Sequence, residues 1–221
     1  MSTVIISCKT LQNELEKACR EVSCRYPVFW LEAGLHNVPA HLTEAIREQL
    51  AALPAADTVL LAMGFCGNAL IGIHTGEFRM IVPRVDDCIS LMLGSVARRQ
   101  GIMREEPSYF LTKGWLDGET NIWRDYQYAC RKYGERRGRA IYKTVLAPYK
   151  RLAVIDTGAY QMDAITPQTK KIAETLGLRH DVLMGDSSLL KQLLTGPWTE
   201  EKFLMIPPNA TVGMMDLMKS Y

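Results

Sequence analysis

The six cysteines of this chain include no C-x-x-C pair, so neither a zinc ribbon nor a thioredoxin-type dithiol is on offer. No apolar run approaches the roughly 20 residues that span a bilayer. The N-terminus lacks a basic segment followed by a hydrophobic one and a cleavage site. Surplus charge is missing as well. Lys and Arg number 26 against 24 Asp and Glu, for a formal charge of +2. That bias is too weak to argue for a nucleic-acid partner. Internal repeats and low-complexity segments are absent. These absences leave a cytoplasmic protein with no nucleic-acid and no membrane partner. Its thiols are then reduced, metal-bound or catalytic rather than staples.

What is present is ordinary globular material, 48% hydrophobic and 23% charged over 221 residues. Its order is informative. Val4, Ile5 and Ile6 form a short β-branched run, as in a buried parallel strand. Leu11, Leu15 and Ala18 follow at helical spacing. Further runs at Val28–Ala33, Thr58–Gly64 and Phe78–Val82 are separated by a helix over His41–Leu53, opened by Pro39. Cys88–Arg99 reads as one helix. The alternation predicts α/β architecture: a mostly parallel, doubly wound sheet. The middle differs. It holds one short strand, Tyr109–Leu111, and two helices over Thr120–Tyr133 and Glu135–Leu146, rich in Arg, Tyr and Trp. Strand character returns at Arg151–Asp156, Asp181–Met184 and Phe203–Ile206, with helices over Thr166–Leu176 and up to Leu194. The expected division is a first α/β lobe over 1–104, a helical connector or lid over 105–149, and a smaller second α/β lobe over 150–221. One continuous domain is the alternative. The cluster Arg131, Lys132, Arg136, Arg137 and Arg139 reads as a solvated helix face. His41, His74 and His180 read as surface or loop.

The sharpest signal lies just beyond the first four apolar runs. Cys8, His36, Cys66 and Cys88 follow them at spacings of 28, 30 and 22 residues. About 28–30 residues is one β-α-β unit. The carboxyl ends of parallel strands share one edge, outside which ligands bind. Four soft donors there suit a zinc-like ion in a thiolate and imidazole shell. The alternative is four small buried residues at tight strand ends. Cys19, Cys24 and Cys130 do not share this phase; Cys19 and Cys130 fall on helices and read as plain burial. Cys66 sits in a glycine-flanked turn with Gly67 and Asn68, where backbone N–H groups would bind an anion or stabilise a thiolate. Pro83–Cys88 brings Arg84, Asp86, Asp87 and a thiol together. Arg84 suits an anionic group, and Asp87 or Asp156 suits proton handling; helix capping is the plain alternative for the aspartates.

These segments resemble a known but uncharacterised family. The CGN turn at Cys66–Asn68, LHN at Leu35–Asn37, PRxxDC at Pro83–Cys88, LTxGW at Leu111–Trp115 and IDTG at Ile155–Gly158 are similar to domain of unknown function 1638. The likeness runs from Ile5 to about Phe203. It implies an anaerobic archaeal or bacterial setting, often beside corrinoid-dependent methyltransferases. The family pattern commonly has a histidine where this chain has Asp86, which leaves open a closed metal shell or an open reactive one.

Three functions follow as expectations. The first is a metal protein of one-carbon metabolism, possessing a Zn2+ or similar ion on Cys8, His36, Cys66 and Cys88. Arg84, Asp87 and Asp156 would act on a small methylated or thiol substrate, with Asn37, Gly67, Asn68 and Trp115 lining its seat. The second is a metal-free cysteine acid–base enzyme of racemase type. The third is a non-catalytic accessory protein that contacts a corrinoid or a corrinoid protein through Trp115, Trp123, Tyr126, Tyr128 and Tyr133. No D-x-H-x-x-G ligand motif accompanies that third option. An oligomer is compatible with all three.

Overall fold

The structure, a computed structural model, describes residues 2–119 and 121–218. Four strands, β1 (Thr3–Cys8), β2 (Val28–Leu31), β3 (Thr58–Ala62) and β4 (Arg79–Pro83), run parallel in the order β2-β1-β3-β4. Alternate residues of a strand face opposite sides of its sheet, and both sides are apolar. Ile5, Leu60, Ala62 and Ile81 meet α1 (Gln12–Glu21), α3 (Cys88–Leu93) and α9 (Ser188–Thr195). Val4, Ile6, Val59, Leu61 and Met80 meet α2 (Pro39–Ala51) and the turn around Leu70. The expected doubly wound α/β sheet is therefore present.

The second sheet has the order β5-β6-β7 and is parallel throughout: β5 (Ser108–Leu111), β6 (Arg151–Asp156) and β7 (Arg179–Met184). Leu152 and Val154 pack against α8 (Met162–Leu176) through Ile165 and Ile172. Ile155 enters the core of the first sheet instead, and Phe110 and Trp115 pack there too. The helical middle comprises α5 (Lys113–Asp117), α6 (Ile122–Tyr133) and α7 (Glu135–Val145). Asn121 caps α6 by accepting from the Trp123 and Arg124 N–H groups at 3.1 and 3.0 Å. Thr120, expected at the start of that helix, lies outside the described residues.

Three expectations need correction. Residues 88–99 form two helices, α3 and then α4 (Val96–Glu105), because Gly94 turns left-handed at φ 88. A side chain there would collide with the Asp186 carboxylate, 2.7 Å from the Cβ position. Phe203–Ile206 forms β8, which pairs antiparallel with β4 in the first sheet rather than joining the second. Together with α9 it returns residues 188–206 to the first lobe, since their leucines and Phe203 complete its core. His180 lies within β7, half-buried, 2.9 Å from the Thr169 hydroxyl, whereas His41, on α2, is exposed as expected. Arg131, Lys132, Arg136, Arg137 and Arg139 are all exposed, as expected.

Candidate thiol site at the carboxyl edge

Parallel register places the ends of β2, β1, β3 and β4 side by side, and neighbouring strands lie about 4.8 Å apart. Cys8 closes β1 opposite Leu31 of β2. Its thiol is 3.1 Å from the Thr10 hydroxyl and 3.8 Å from the Glu32 carbonyl. Burial pushes its pKa up, and the Cys66 and Glu32 charges add to the rise.

Beyond β3 the backbone runs alongside the turn that follows β4. The Phe65 N–H donates to the Val85 carbonyl at 2.9 Å, and the Cys66 N–H to the Asp86 carbonyl at 2.8 Å. Gly64 makes this approach possible, because a Cβ there would fall 2.5 Å from the Asp87 backbone. Cys66 is thereby brought beside Cys88, at the first turn of α3. Cys88 is buried, and its pKa is driven up first by the adjoining Cys66 thiol, then by burial. The Cys8 and Asp87 charges act in the same direction. Three thiols therefore share one neighbourhood. Cys66 itself is half-buried and left-handed at φ 48, followed by Gly67 at φ 73. Outside glycine and a few turn formers such a conformation is uncommon and costs of order 1 kcal/mol or more.

His36 stands in a single 3-10 turn, Leu35–Asn37, after β2. Burial lowers its pKa, so the ring is neutral near pH 7, and the Asp87 charge opposes that shift. Asp87 caps α3, accepting from the Ser90 N–H at 3.0 Å. Burial raises its pKa against the pull of Arg99. Arg99, on α4, uses one nitrogen to reach both carboxylates, at 2.6 Å from Asp86 and 3.1 Å from Asp87. Its Nε is buried without a hydrogen-bond partner among the described residues. A cavity of about 230 Å³ lies here between the two sheets. Its wall includes His36, Ile89, Arg99, Tyr109, Trp115 and Tyr149. Larger hollows exist, such as one of about 440 Å³ beside Tyr142 and Leu146, but they hold none of this chemistry.

The edge thus gathers Cys8, His36, Cys66, Asp87, Cys88 and, through the cavity, Trp115. Gly67, Asn68 and Asn37 lie on its exposed rim. Two candidates sit elsewhere. The Arg84 guanidinium donates to the Glu200 carbonyl at 2.7 Å and the Asp216 carbonyl at 2.9 Å. It ties down the C-terminal segment rather than facing the thiols. Asp156, at the end of β6, receives the Gly158 N–H at 2.9 Å and shapes a turn. Arg99 is the residue that sequence reasoning missed. Nothing in the motif distinguishes it from Arg98, which instead bonds the Leu93 and Met184 carbonyls.

The donors suit a soft ion chemically, but not as arranged. Among the described residues no three His, Cys, Asp or Glu side chains stand where one metal ion would be held. Cys130, on α6 in the helical middle, packs against Gly138 of α7. Of the aromatics, Trp123 and Tyr126 stack with centroids 5.5 Å apart, whereas Tyr128 and Tyr133 are exposed. Among the described residues no helix is long and apolar enough to cross a membrane.

No curated protein and no solved structure matches this chain. One family profile does, over residues 30–194, and its description is "Protein of unknown function (DUF1638)". The match spans three quarters of the chain and contains His36, Cys66, Asp87, Cys88 and Arg99, so the protein belongs to that family of unknown function.

Proposed function

We propose that the protein works through sulfur, with Cys66 as the nucleophilic thiol and Cys88 and Cys8 as its supporting thiols. The observation that carries this is the left-handed backbone of Cys66 beside a second thiol. A non-glycine residue held in that conformation at a strand edge signals a position kept for its side chain. The cavity would seat the body of a small substrate, with the Arg99 guanidinium supplying its positive lining. His36, neutral and facing Asp87, is the base the site offers. Burial holds the Cys8 and Cys88 thiols protonated at rest. Their deprotonation therefore belongs to the bound state.

A zinc-like ion on Cys8, Cys66 and Cys88, serving methyl transfer beside a corrinoid protein, uses the same side chains. The convergence of three thiols favours it as the second reading, and it requires them to turn toward one point. One experiment separates the two. Protein purified without chelator is analysed for metals and then alkylated with iodoacetamide, with sites mapped by mass spectrometry. The first reading expects less than about a tenth of an equivalent of metal and preferential labelling of Cys66. Close to one equivalent of zinc, with Cys66 labelled only after chelation, would establish the second. Uniform slow labelling of all six cysteines and no metal would sink both.

A further inference from the structure

A second pair of thiols lies at the other end of α1, outside the site. The helix terminates in a Schellman motif. The Cys24 N–H donates to the Cys19 carbonyl at 2.9 Å, and the Ser23 N–H to the Arg20 carbonyl at 3.3 Å. Ser23 supplies the left-handed residue, at φ 54, where glycine is usual. In this motif the residue before the last turn and the residue two beyond the cap touch, commonly as an apolar contact. Here both are cysteines, half-buried, and each lies against the apolar core that α1 covers. The cap thus brings the two thiols, five positions apart in sequence, to the same end of α1 as neighbours.

We propose that Cys19 and Cys24 are a modification site, a dithiol that a peroxide oxidises reversibly to a disulfide. One thiolate attacks a peroxide oxygen and breaks the O–O bond, giving a sulfenic acid and releasing water after protonation. The second thiol attacks that sulfur, forms the S–S bond and expels hydroxide, which takes up the thiol proton as water. Two thiols and one peroxide become one disulfide and two waters. The sulfurs lose two electrons and the peroxide gains them. The Cys19 proton is held tightly, its pKa pushed up to about 12 by burial and by the adjoining Cys24 thiol. Either thiol can attack the peroxide, and the other then resolves the sulfenic acid. A disulfide here fixes the end of α1 and the segment leading to β2, where the Pro27 carbonyl receives the Ile5 N–H at 2.9 Å.

The test uses the full, reduced chain treated with hydrogen peroxide, quenched with N-ethylmaleimide and digested with trypsin. Cleavage after Arg20 and Arg25 separates the two cysteines, so a disulfide leaves the two peptides joined and lighter by two hydrogens. The joined pair is expected to form about ten times faster than Cys130 oxidises, and to disappear on reduction. In Cys19→Ser, a sulfenic acid on Cys24 is expected to be trapped by dimedone. Separate peptides that both carry maleimide, while other cysteines have oxidised, would overturn the proposal. That outcome is read on the wild-type chain and does not depend on a variant folding. It is also independent of Cys66 and Cys88, which lie on other peptides.

Discussion

A Cβ on Gly114 would fall 1.9 Å from the carbonyl oxygen of Thr10. No side chain fits at that distance. Helix α5 can therefore lie against the turn after β1 only as glycine, and this contact sets Trp115 beside both apolar cores. Cys8 is two residues from one side of the contact, and the cavity wall begins one residue from the other.

Gly114→Ala is accordingly expected to destabilise by about 3 kcal/mol, the upper end of ordinary overpacking. At roughly 2–4 °C per kcal/mol for a chain of this size, the melting temperature falls by about 10 °C. Calorimetry on the purified variant measures it. A wild-type melt would show that α5 shifts freely.

Strain at Cys66 gives a second expectation. Cys66→Gly and Cys66→Ala both remove the thiol, but only glycine relieves a φ of 48°. The glycine variant is expected to melt about 2–4 °C above the alanine variant, for a strain of order 1 kcal/mol. Equal melts would mean that the turn relaxes without strain.

Glu14 supplies a pH dependence. It is buried on α1, its Oε1 receives the Thr157 hydroxyl at 3.0 Å, and its Oε2 has no partner among the described residues. Burial raises its pKa. The folded protein then holds a proton that the unfolded chain releases near pH 4.3. Stability from this group is present below that pH and is lost as pH rises through the raised value. Glu14→Gln removes the titration, so its thermal stability between pH 4.5 and 8 is expected to fall less steeply than that of the wild type. Parallel curves would assign the dependence to other groups.

Arg84→Gln distinguishes a structural guanidinium from one in the thiol chemistry. The bonds to the Glu200 and Asp216 carbonyls predict faster proteolysis within residues 200–218 and an unchanged rate of Cys66 alkylation. A several-fold change in alkylation with an intact C-terminal segment would return Arg84 to the site.

Periodicity made the first sheet legible because β1, β3 and β4 are buried on both faces, and such strands read as continuous apolar runs. It also placed Cys8, His36, Cys66 and Cys88 at one edge, since parallel strands align their ends. What it missed depended on long-range contacts. The break at Gly94 is set by Asp186, 92 positions away. Arg99 joins the site only because α4 folds back over Asp86 and Asp87. The Cys19 and Cys24 pair was hidden for the opposite reason. Its geometry is local, but it belongs to a helix cap, and a five-residue spacing carries no period to reveal it.

The antiparallel strand β8 has a consequence for how the protein is made. Met80 and its partner Ile206 are 126 positions apart. A nascent chain that has already emitted β1 to β4 therefore has the outer edge of β4 unpaired until residues 203–206 emerge. An unpaired apolar edge is a template for strands from other chains. Losing residues 203–206, by nonsense mutation or proteolysis, would thus leave the thiols in place but turn β4 into a seed for aggregation.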